Sequence, residues 1–296
     1  MRVFVTGASG FIGSACVKEL RGAGHTVLGL ARSDAAAKIA EHAGAQVLRG
    51  ELTDLDVLRK GAREADGVIH TAFIHDFSKF AENGQVDKRA IEAMGDAMAG
   101  TNKPMVVSSG TALLSPGHVA TEDIKPSGEG LPRVSEQTAF ALAGKGVRGM
   151  AIRLAPSTHG ISDQGFKAGF VSYAAQVARE KGVSAYIGDG KNRWSQGHRL
   201  DAARVYRLAL EKGRAGAAYH PIGEEGVALK DIAEMIGKKL KLPVESISQE
   251  KALEHFGFLG MFLGLDIPTS SAKTQAELGW HPTGPGLLAD MEAHEL

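Results

Sequence analysis

Three glycines near the N-terminus have the spacing needed to hold a pyrophosphate group. They follow a short apolar run and precede an amphipathic segment that starts at residue 11. In such a loop the first glycine permits a tight turn, the second lets backbone N–H groups approach a phosphate, and the third lets a helix pack closely on a strand. The sequence therefore predicts a dinucleotide-binding loop rather than an ordinary glycine-rich turn. Its contributing residues are Thr6, Gly7, Ser9, Gly10, Phe11, Ile12 and Gly13.

Hydroxyl groups and imidazoles follow three other apolar runs. Ser109 and Thr111 end one run, and His75 and His159 follow two others. If these runs are parallel strands, their carboxyl ends meet at one ligand crevice. A hydroxyl can orient a carbonyl oxygen, and an imidazole titrates near neutral pH, so all four are candidate catalytic groups. Polar residues that merely end a strand, and histidines that merely lie on the surface, are the open alternatives.

Apolar runs alternate with alanine-rich amphipathic segments through the first half of the chain. This pattern predicts a doubly wound, parallel α/β sheet. Predicted strands cover residues 2–6, 25–30, 46–49, 67–72, 104–108, 147–154 and 243–247. Predicted helices cover residues 11–22, 34–42, 54–62, 85–100, 133–144, 166–181, 198–213 and 229–241. We expect a dinucleotide-binding domain over residues 1–160, with 198–225 returning to it, and a smaller, mostly helical substrate lobe from 161–197 and 226–296.

Composition excludes several classes of protein. The chain has 296 residues with 34 basic and 34 acidic side chains, so it carries no net charge that would attract nucleic acid or an anionic membrane. Cys16 is the single cysteine, which excludes an intrachain disulfide and a thiolate cluster, and the histidines lack metal-ligand spacing, so no metal is predicted. No apolar run reaches the roughly eighteen residues of a membrane span. We expect a cytoplasmic protein that binds a small-molecule substrate.

Five segments resemble the short-chain dehydrogenase/reductase superfamily in its extended and atypical branches. They are TGASGFIG at 6–13, GVIHTAF at 67–73, VVSSGTALL at 106–114, IRLAPSTHG at 152–160 and GDGKNRWSQGHRLDAARVYRLAL at 188–210. The resemblance implies a Rossmann-type fold that binds a nicotinamide dinucleotide beneath a C-terminal substrate lobe. It further implies cofactor contacts from Glu51, Leu52, Thr71, Ala72, Phe73, Ser108, Leu154 and Pro156. It makes Asp76, Trp194 and His198 candidates for the substrate pocket.

The end of the second predicted strand indicates which nucleotide binds. NAD-dependent enzymes commonly place an acidic residue there to accept hydrogen bonds from the adenosine ribose. This chain has Arg32 and Ser33, which favour a 2′-phosphate and therefore NADP(H). Asp34 follows directly, so NAD(H) remains possible, and a solvated surface arginine is the alternative interpretation of Arg32.

The superfamily's usual Tyr-x-x-x-Lys pair is absent from the matching stretch. Pro132 occupies the tyrosine position and Glu136 the lysine position, and all four tyrosines lie far downstream. The resemblance therefore supports cofactor binding more strongly than it supports catalysis. Our main hypothesis is an NADP-dependent oxidoreductase with a non-standard active site. The alternatives are a catalytically silent NAD(P)-binding redox sensor and an epimerase with a tightly held cofactor.

Two further expectations concern the substrate and the oligomeric state. The segment GFLGMFLGL at 257–265 predicts either an apolar pocket wall or an ordinary packed segment. If it lines the pocket, the substrate is apolar or aromatic. Relatives pair through the two helices that we predict at 85–100 and 133–144, whose small residues permit close packing. We therefore expect a monomer or a homodimer.

Overall fold

The protein is described by a computed structural model that covers residues 1–114, 118–126 and 133–296. Its strands are β1 (Arg2–Thr6), β2 (Thr26–Ala31), β3 (Gln46–Arg49), β4 (Gly67–His70), β5 (Pro104–Gly110), β6 (Arg148–Leu154), β7 (Ser157–Ser162), β8 (Gly165–Ala168), β9 (Ser184–Ile187), β10 (Arg193–His198), β11 (Ala218–Tyr219), β12 (Glu224–Ala228) and β13 (Val244–Ile247). Its α-helices are α1 (Phe11–Gly22), α2 (Asp34–His42), α3 (Leu55–Glu64), α4 (Phe80–Ala97), α5 (Ser135–Ala141), α6 (Phe170–Lys181), α7 (Arg199–Lys212), α8 (Leu229–Leu240), α9 (Ala252–Phe256), α10 (Gly260–Leu263), α11 (Ala272–Leu278) and α12 (Leu287–Ala293).

Within these described ranges, the central sheet has seven strands in the order β11-β6-β5-β4-β1-β2-β3. All of its pairings are parallel. The chain winds outward from β1 to β3 on one side and from β4 to β6 on the other, so the crevice of an open α/β sheet falls at the carboxyl ends of β1 and β4. The predicted Rossmann-type α/β fold is confirmed.

Local sequence explains why the first half folds as predicted. The residues at 3–5 of β1 are fully buried and apolar, as a strand covered on both faces requires. Helix α1 buries Ala15, Cys16, Val17 and Leu20 along one face. The predicted strand and helix bounds in this half agree with the structure to within about two residues, with two exceptions. Helix α4 begins five residues and ends three residues before its predicted bounds, and α5 ends at Ala141, where a 3-10 turn follows.

A second sheet was not predicted. It has the order β12-β10-β7-β8, and a separate two-stranded sheet joins β13 to β9. The sequence predicted a helix from residue 166, but residues 165–168 form β8 and the helix begins at Phe170. Strands β7 and β10 read STHGIS and RWSQGH, which have neither a continuous apolar run nor clean alternation. Their burial comes from long-range packing, which a local pattern does not record.

The segment at 257–265 is an ordinary packed segment. It forms a 3-10 turn (Gly257–Leu259) followed by α10. Leu259 and Leu263 are buried in a hydrophobic core around Trp194, and we call the part of the protein that surrounds this core the second lobe. No helix of the described residues is long and apolar enough to cross a membrane.

Candidate active site

The glycine loop folds tightly against the end of β4. Gly7 has a φ of +69°, and a Cβ there would lie 2.7 Å from Thr71 Oγ1 and 2.7 Å from the backbone nitrogen of Ala72. A Cβ on Gly13 would lie only 2.0 Å from the carbonyl oxygen of Gly7. Both glycines are therefore required by the packing of the loop itself.

Gly10 is different, because packing within the protein does not require a glycine at this position. A Cβ there would meet only the carbonyl oxygen of Gly7, at 3.1 Å, and Gly10 is exposed. Gly10 is also the N-cap of α1, which has no side-chain cap and no acidic residue in its first turn. The N–H groups of that turn lack helical partners, and the helix dipole favours an anion there. The loop fits a dinucleotide pyrophosphate.

Arg199 braces the start of α1, and the sequence analysis missed it. Its guanidinium donates to the carbonyl oxygen of Phe11 at 2.7 and 3.1 Å, to Ser14 Oγ at 3.0 Å and to the carbonyl oxygen of Ile161 at 2.6 Å. It also lies 4.7 Å from the centroid of the Phe11 ring. The signal that could have found it was its position in the RWSQGHR segment, beside His198.

An exposed arginine follows the end of β2, where the sequence predicts that the adenosine of the nucleotide binds. Arg32 is exposed and makes no hydrogen bond or ion pair with any described residue. Ser33 Oγ accepts from the backbone nitrogen of Ala36 at 3.2 Å and caps α2, which leaves its hydroxyl hydrogen able to donate. Asp34, the competing acidic residue, pairs with Arg49. Arg32 and Ser33 are thus open to a nucleotide at this strand end, and Asp34 beside them keeps one exposed carboxylate oxygen without a partner among the described residues.

The loop after β3 is held by its own acidic side chains. Glu51 Oε1 accepts from Thr53 Oγ1 at 2.8 Å, so this carboxylate has an internal partner, and Leu52 is partly buried. Asp54 accepts from the backbone nitrogen of Val57 at 3.2 Å and caps α3.

A buried hydrogen-bond network starts at the end of β1. Thr6 Oγ1 lies 2.7 Å from Nδ1 of His70, and His70 Nε2 lies 3.0 Å from Asp87 Oδ1. Ser135 Oγ donates to the other oxygen of Asp87, and Arg133 Nε donates to Ser135 Oγ at 2.9 Å. Thr6 was expected to bind the cofactor, but it is fully buried and its hydroxyl holds His70. The network connects the glycine loop to Arg133.

The charge state of this network follows from its partners. Burial alone would raise the pKa of Asp87, but the hydrogen bond and charge of His70, the charge of Arg133 and the hydrogen bond from Ser135 together lower it. Asp87 is therefore ionised at neutral pH. An ionised Asp87 accepts a hydrogen bond from Nε2 of His70, so Nε2 carries a proton.

Three side chains meet at the ends of β4 and β5. The Arg133 guanidinium donates to the carbonyl oxygen of Ser108 at 2.9 Å, and its Cζ lies 4.1 Å from the centroid of the Phe73 ring. The His75 ring contacts the same phenyl ring edge-on, with centroids 5.6 Å apart. Ser109 lies two residues beyond Val107 and therefore shares the sheet face that packs on α5.

Two features set the chemistry of this group. Burial of the His75 ring, and then the positive charge of Arg133, lower the pKa of His75 below its ordinary value, so the imidazole is neutral at pH 7. Ser108 Oγ is turned away from the group and is bonded to Tyr206 Oη at 2.6 Å and to the carbonyl oxygen of His70 at 3.0 Å. The crevice thus offers a fixed positive charge, a neutral base and a hydroxyl. Arg133, which supplies the charge, was missed from sequence.

Comparisons with known proteins agree with this geometry. The model of the NAD dependent epimerase/dehydratase family matches residues 3–126. An uncharacterized protein of Schizosaccharomyces pombe is 50% identical over 98% of both chains, and UDP-glucose 4-epimerase of Corynebacterium glutamicum is 26% identical over 99% of this chain and 94% of its own. A nucleoside-diphosphate-sugar epimerase from Pseudomonas aeruginosa superposes with a TM-score of 0.77 at 20% identity, covering 99% of this chain and 95% of that one.

The chain belongs to the NAD-dependent epimerase/dehydratase family. The family lies within the short-chain dehydrogenase/reductase superfamily that the sequence segments resemble. A dTDP-glucose 4,6-dehydratase from Streptomyces venezuelae, whose structure holds NAD, has a TM-score of 0.73 with this chain at 21% identity, over 99% of this chain and 96% of that one. That likeness shows the fold, while the reaction must be argued from this chain's own residues.

The position that matches the family's lysine carries a structural ion pair in this chain. Glu136 is 3% exposed and accepts two hydrogen bonds from Arg153, at 2.8 and 2.6 Å. Arg153 also donates to the carbonyl oxygen of Glu122 at 3.2 Å. Arg153 therefore holds both carboxylate oxygens of Glu136. Pro132, at the tyrosine position, lies outside the described residues.

His220 lies beside Arg153, and its burial makes the stability of the fold depend on pH. Its Nδ1 donates to the carbonyl oxygen of Ser270 at 2.9 Å, and its Nε2 lies 3.3 Å from Nη1 of Arg153. Burial, and then the charge of Arg153, lower the pKa of His220 to about 3. An unfolded histidine titrates near 6.5, so the unfolded chain takes up this proton first as the pH falls. The free energy of unfolding therefore falls as the pH drops from about 6.5 to about 3.

The expected effect is on the pH slope of unfolding. Between pH 6 and pH 4 we expect the wild type to lose up to about 1.4 kcal/mol per pH unit more than His220→Gln, which cannot take up the proton. Urea unfolding at several pH values measures both slopes. Because the other histidines contribute to both proteins equally, the difference reports His220, and parallel slopes would show that His220 is not held neutral.

Three predicted site residues are buried away from the crevice. Thr111 is fully buried, and its Oγ1 lies 3.3 Å from Ser195 Oγ. His159 is 1% exposed, and its Nδ1 lies 2.7 Å from Asp290 Oδ2 on α12. Trp194 is fully buried in the core of the second lobe. The predicted catalytic roles of Thr111 and His159 and the predicted substrate-binding role of Trp194 therefore stay predictions, and burial keeps all three side chains from solvent in this structure.

The other predicted site residues lie in different surroundings. Asp76 caps a 3-10 turn by accepting from the backbone nitrogen and the hydroxyl of Ser78, at 3.1 and 2.6 Å, so its carboxylate is engaged there. His198 packs against His159 and lines a groove between α1 and α7 rather than the crevice. Leu154 ends β6 partly exposed, and Pro156 is buried. Among residues 1–114, 118–126 and 133–296, no group of acidic, histidine and cysteine side chains could hold a metal ion.

Proposed function

We propose that the protein is an NADP-dependent oxidoreductase that transfers hydride between the nicotinamide and a small carbonyl or alcohol substrate. One observation carries this proposal: the uncapped N-terminus of α1, opened by Gly10, lies at the same sheet edge as the Arg133 crevice. A pyrophosphate on α1 and a substrate beside Arg133 would share one crevice. The bound cofactor supplies the hydride, and Thr71, Ala72 and Phe73 flank it.

The chain's own residues position and polarise the substrate. Arg133 and Ser109 present donors to the carbonyl oxygen, where negative charge develops during reduction. His75, as a neutral imidazole in the same group, accepts the proton of an alcohol substrate as the alcohol is oxidised and then releases that proton to solvent. Arg199 keeps the phosphate end in place by bracing the first turn of α1. None of these roles requires the tyrosine and lysine that the family commonly uses.

Arg32 gives the cofactor preference a direct test. We expect Arg32→Ala to weaken NADPH binding by roughly 10- to 100-fold, because charge-assisted hydrogen bonds to the 2′-phosphate contribute about 1.5–3 kcal/mol. Binding of NADH, which lacks that phosphate, should change by less than about twofold. Fluorescence titration of both nucleotides measures the two dissociation constants.

The matched control is Arg63→Ala, which removes an exposed arginine from the end of α3. It should leave both dissociation constants unchanged. If Arg32→Ala weakens NADPH and NADH binding equally, Arg32 does not recognise the 2′-phosphate, and the preference for NADP is wrong.

The proposed reaction is tested by incubating the protein and NADPH with aldehydes, ketones and quinones. We expect NADPH oxidation that depends on both the protein and one class of carbonyl compound. NADPH that binds tightly but is never oxidised would overturn the oxidoreductase. That result would favour the second candidate, a redox sensor, which is supported by the structural use of Glu136 at the lysine position.

A further inference from the structure

The guanidinium of Arg133 lies in the crevice with part of its donor edge free. Its Nε bonds to Ser135 and its Nη2 to the carbonyl oxygen of Ser108, while Phe73 covers one face. Nη1 has no partner among the described residues, and the side chain remains partly exposed. An arginine presents five N–H donors in a fixed fork, so donors remain for a substrate oxygen.

Arg133 is held in place by buried partners. Ser135, which accepts from its Nε, donates in turn to Asp87, and Asp87 is bonded to His70. Asp87 is ionised, so its negative charge stabilises the guanidinium without contacting the free edge. A donor fixed by this network before substrate binds costs little reorganisation when charge develops.

A guanidinium can stabilise an oxygen anion, but it cannot supply a proton. Burial lowers the pKa of Arg133, but an arginine side chain still keeps its proton at neutral pH, so the group acts as a permanent positive charge. Reduction of a simple carbonyl group produces a strongly basic alkoxide, which needs an acid such as the phenol that the family commonly supplies. Addition of hydride to a conjugated carbonyl produces an enolate, a much weaker base, for which a fixed positive charge is sufficient.

We propose that the crevice reduces α,β-unsaturated aldehydes and ketones at the carbon–carbon double bond, with Arg133 holding the enolate oxygen. This inference rests on the proposed function and specifies its substrate class. The substrate's β-carbon takes up the hydride and its electron pair, the electrons of the double bond move toward the carbonyl, and negative charge collects on the oxygen. The dihydronicotinamide is oxidised in that step. A proton from solvent then adds to the α-carbon and completes the saturated carbonyl compound.

A pair of substrates with one skeleton tests the reaction. With NADPH, we expect cinnamaldehyde to be converted to 3-phenylpropanal, at least about tenfold faster than 3-phenylpropanal itself is reduced. Formation of cinnamyl alcohol, or equal reduction of the saturated aldehyde, would overturn the inference while leaving the oxidoreductase intact. Absence of NADPH oxidation with every carbonyl compound would overturn both.

Binding of 4-nitrophenol tests Arg133 without turnover. The phenolate resembles an enolate oxygen, and its absorbance reports ionisation directly. With NADP⁺ present, we expect the bound phenol to ionise at a pH lower by about 1 to 3 than in solution, as an adjacent positive charge requires. This effect should be lost in Arg133→Met, reduced in Arg133→Lys and unchanged in Arg63→Met, a control on the exposed face of α3.

Two results would contradict an oxygen-anion site at Arg133. The phenol would fail to bind, or it would bind and still ionise at the same pH as in solution. The same ionisation in Arg133→Met would show that another group stabilises the anion. Circular dichroism checks the fold of each variant. If Arg133→Met does not fold, Arg133→Lys decides, and a wild-type response in it would overturn the inference.

Discussion

Glu136→Lys, which restores the lysine of the family pattern, is expected to unfold the protein rather than to supply catalytic function. The new ammonium group would enter a site that is 3% exposed, beside the guanidinium of Arg153. Removing one partner of a buried ion pair costs about 3–5 kcal/mol, and repulsion between two buried cations adds to that cost. A domain is stable by about 5–15 kcal/mol, so the loss is a large part of the total.

Urea denaturation at pH 7 measures this effect. Glu136→Gln is expected to fall between the wild type and Glu136→Lys, since the amide oxygen still accepts one hydrogen bond while the charge of Arg153 loses its partner. The control Glu41→Lys changes the same charge at an exposed position of α2 and should shift stability by no more than about 0.5 kcal/mol. A Glu136→Lys protein as stable as the wild type would show that the pair is not structural.

Gly10→Asp is expected to abolish dinucleotide binding while leaving the fold intact. Gly10 has φ of −78° and ψ of 172°, which aspartate adopts readily, and aspartate is a favoured N-cap. Its carboxylate would accept the first-turn N–H groups that a phosphate needs and would repel that phosphate. We expect stability within about 1 kcal/mol of the wild type and NADPH binding at least about 100-fold weaker, since charge-assisted hydrogen bonds contribute about 1.5–3 kcal/mol each.

Calorimetric titration with NADPH, together with urea unfolding, separates the two effects. Ala99→Asp adds the same charge at an exposed alanine after α4 and should change neither quantity. Gly13→Ala offers a contrast, because its Cβ would lie 2.0 Å from the carbonyl oxygen of Gly7 and should destabilise the loop as well. Unchanged NADPH binding in Gly10→Asp would place the pyrophosphate elsewhere.

Features encoded by neighbouring residues could be predicted from the sequence. The turn at Gly7, the close packing at Gly13 and the cap at Asp54 depend on backbone conformation and on hydrogen bonds within a few residues. The strands of the central sheet carry apolar runs of their own. The absence of the tyrosine and lysine pair is likewise a property of one short stretch of residues, so the sequence alone reveals it.

The other site features depend on contacts between distant parts of the chain. His159 was expected in the crevice, but Asp290, which follows 131 residues later, holds it in the second lobe. Arg133 gave no local signal, because its position depends on Ser135, Asp87 and the ring of Phe73. The second sheet was missed because its strands are polar in sequence and buried only by packing.

Deuterium transfer tests the central claim most directly. The protein is mixed with NADPH that carries deuterium at the transferred position of the nicotinamide and with a conjugated aldehyde, and the product is examined by mass spectrometry. If the crevice beside Arg133 transfers hydride without a tyrosine and lysine pair, each molecule of product carries one deuterium, in proportion to the NADPH oxidised. NADPH that binds to the protein while no carbonyl compound gains deuterium would contradict the account.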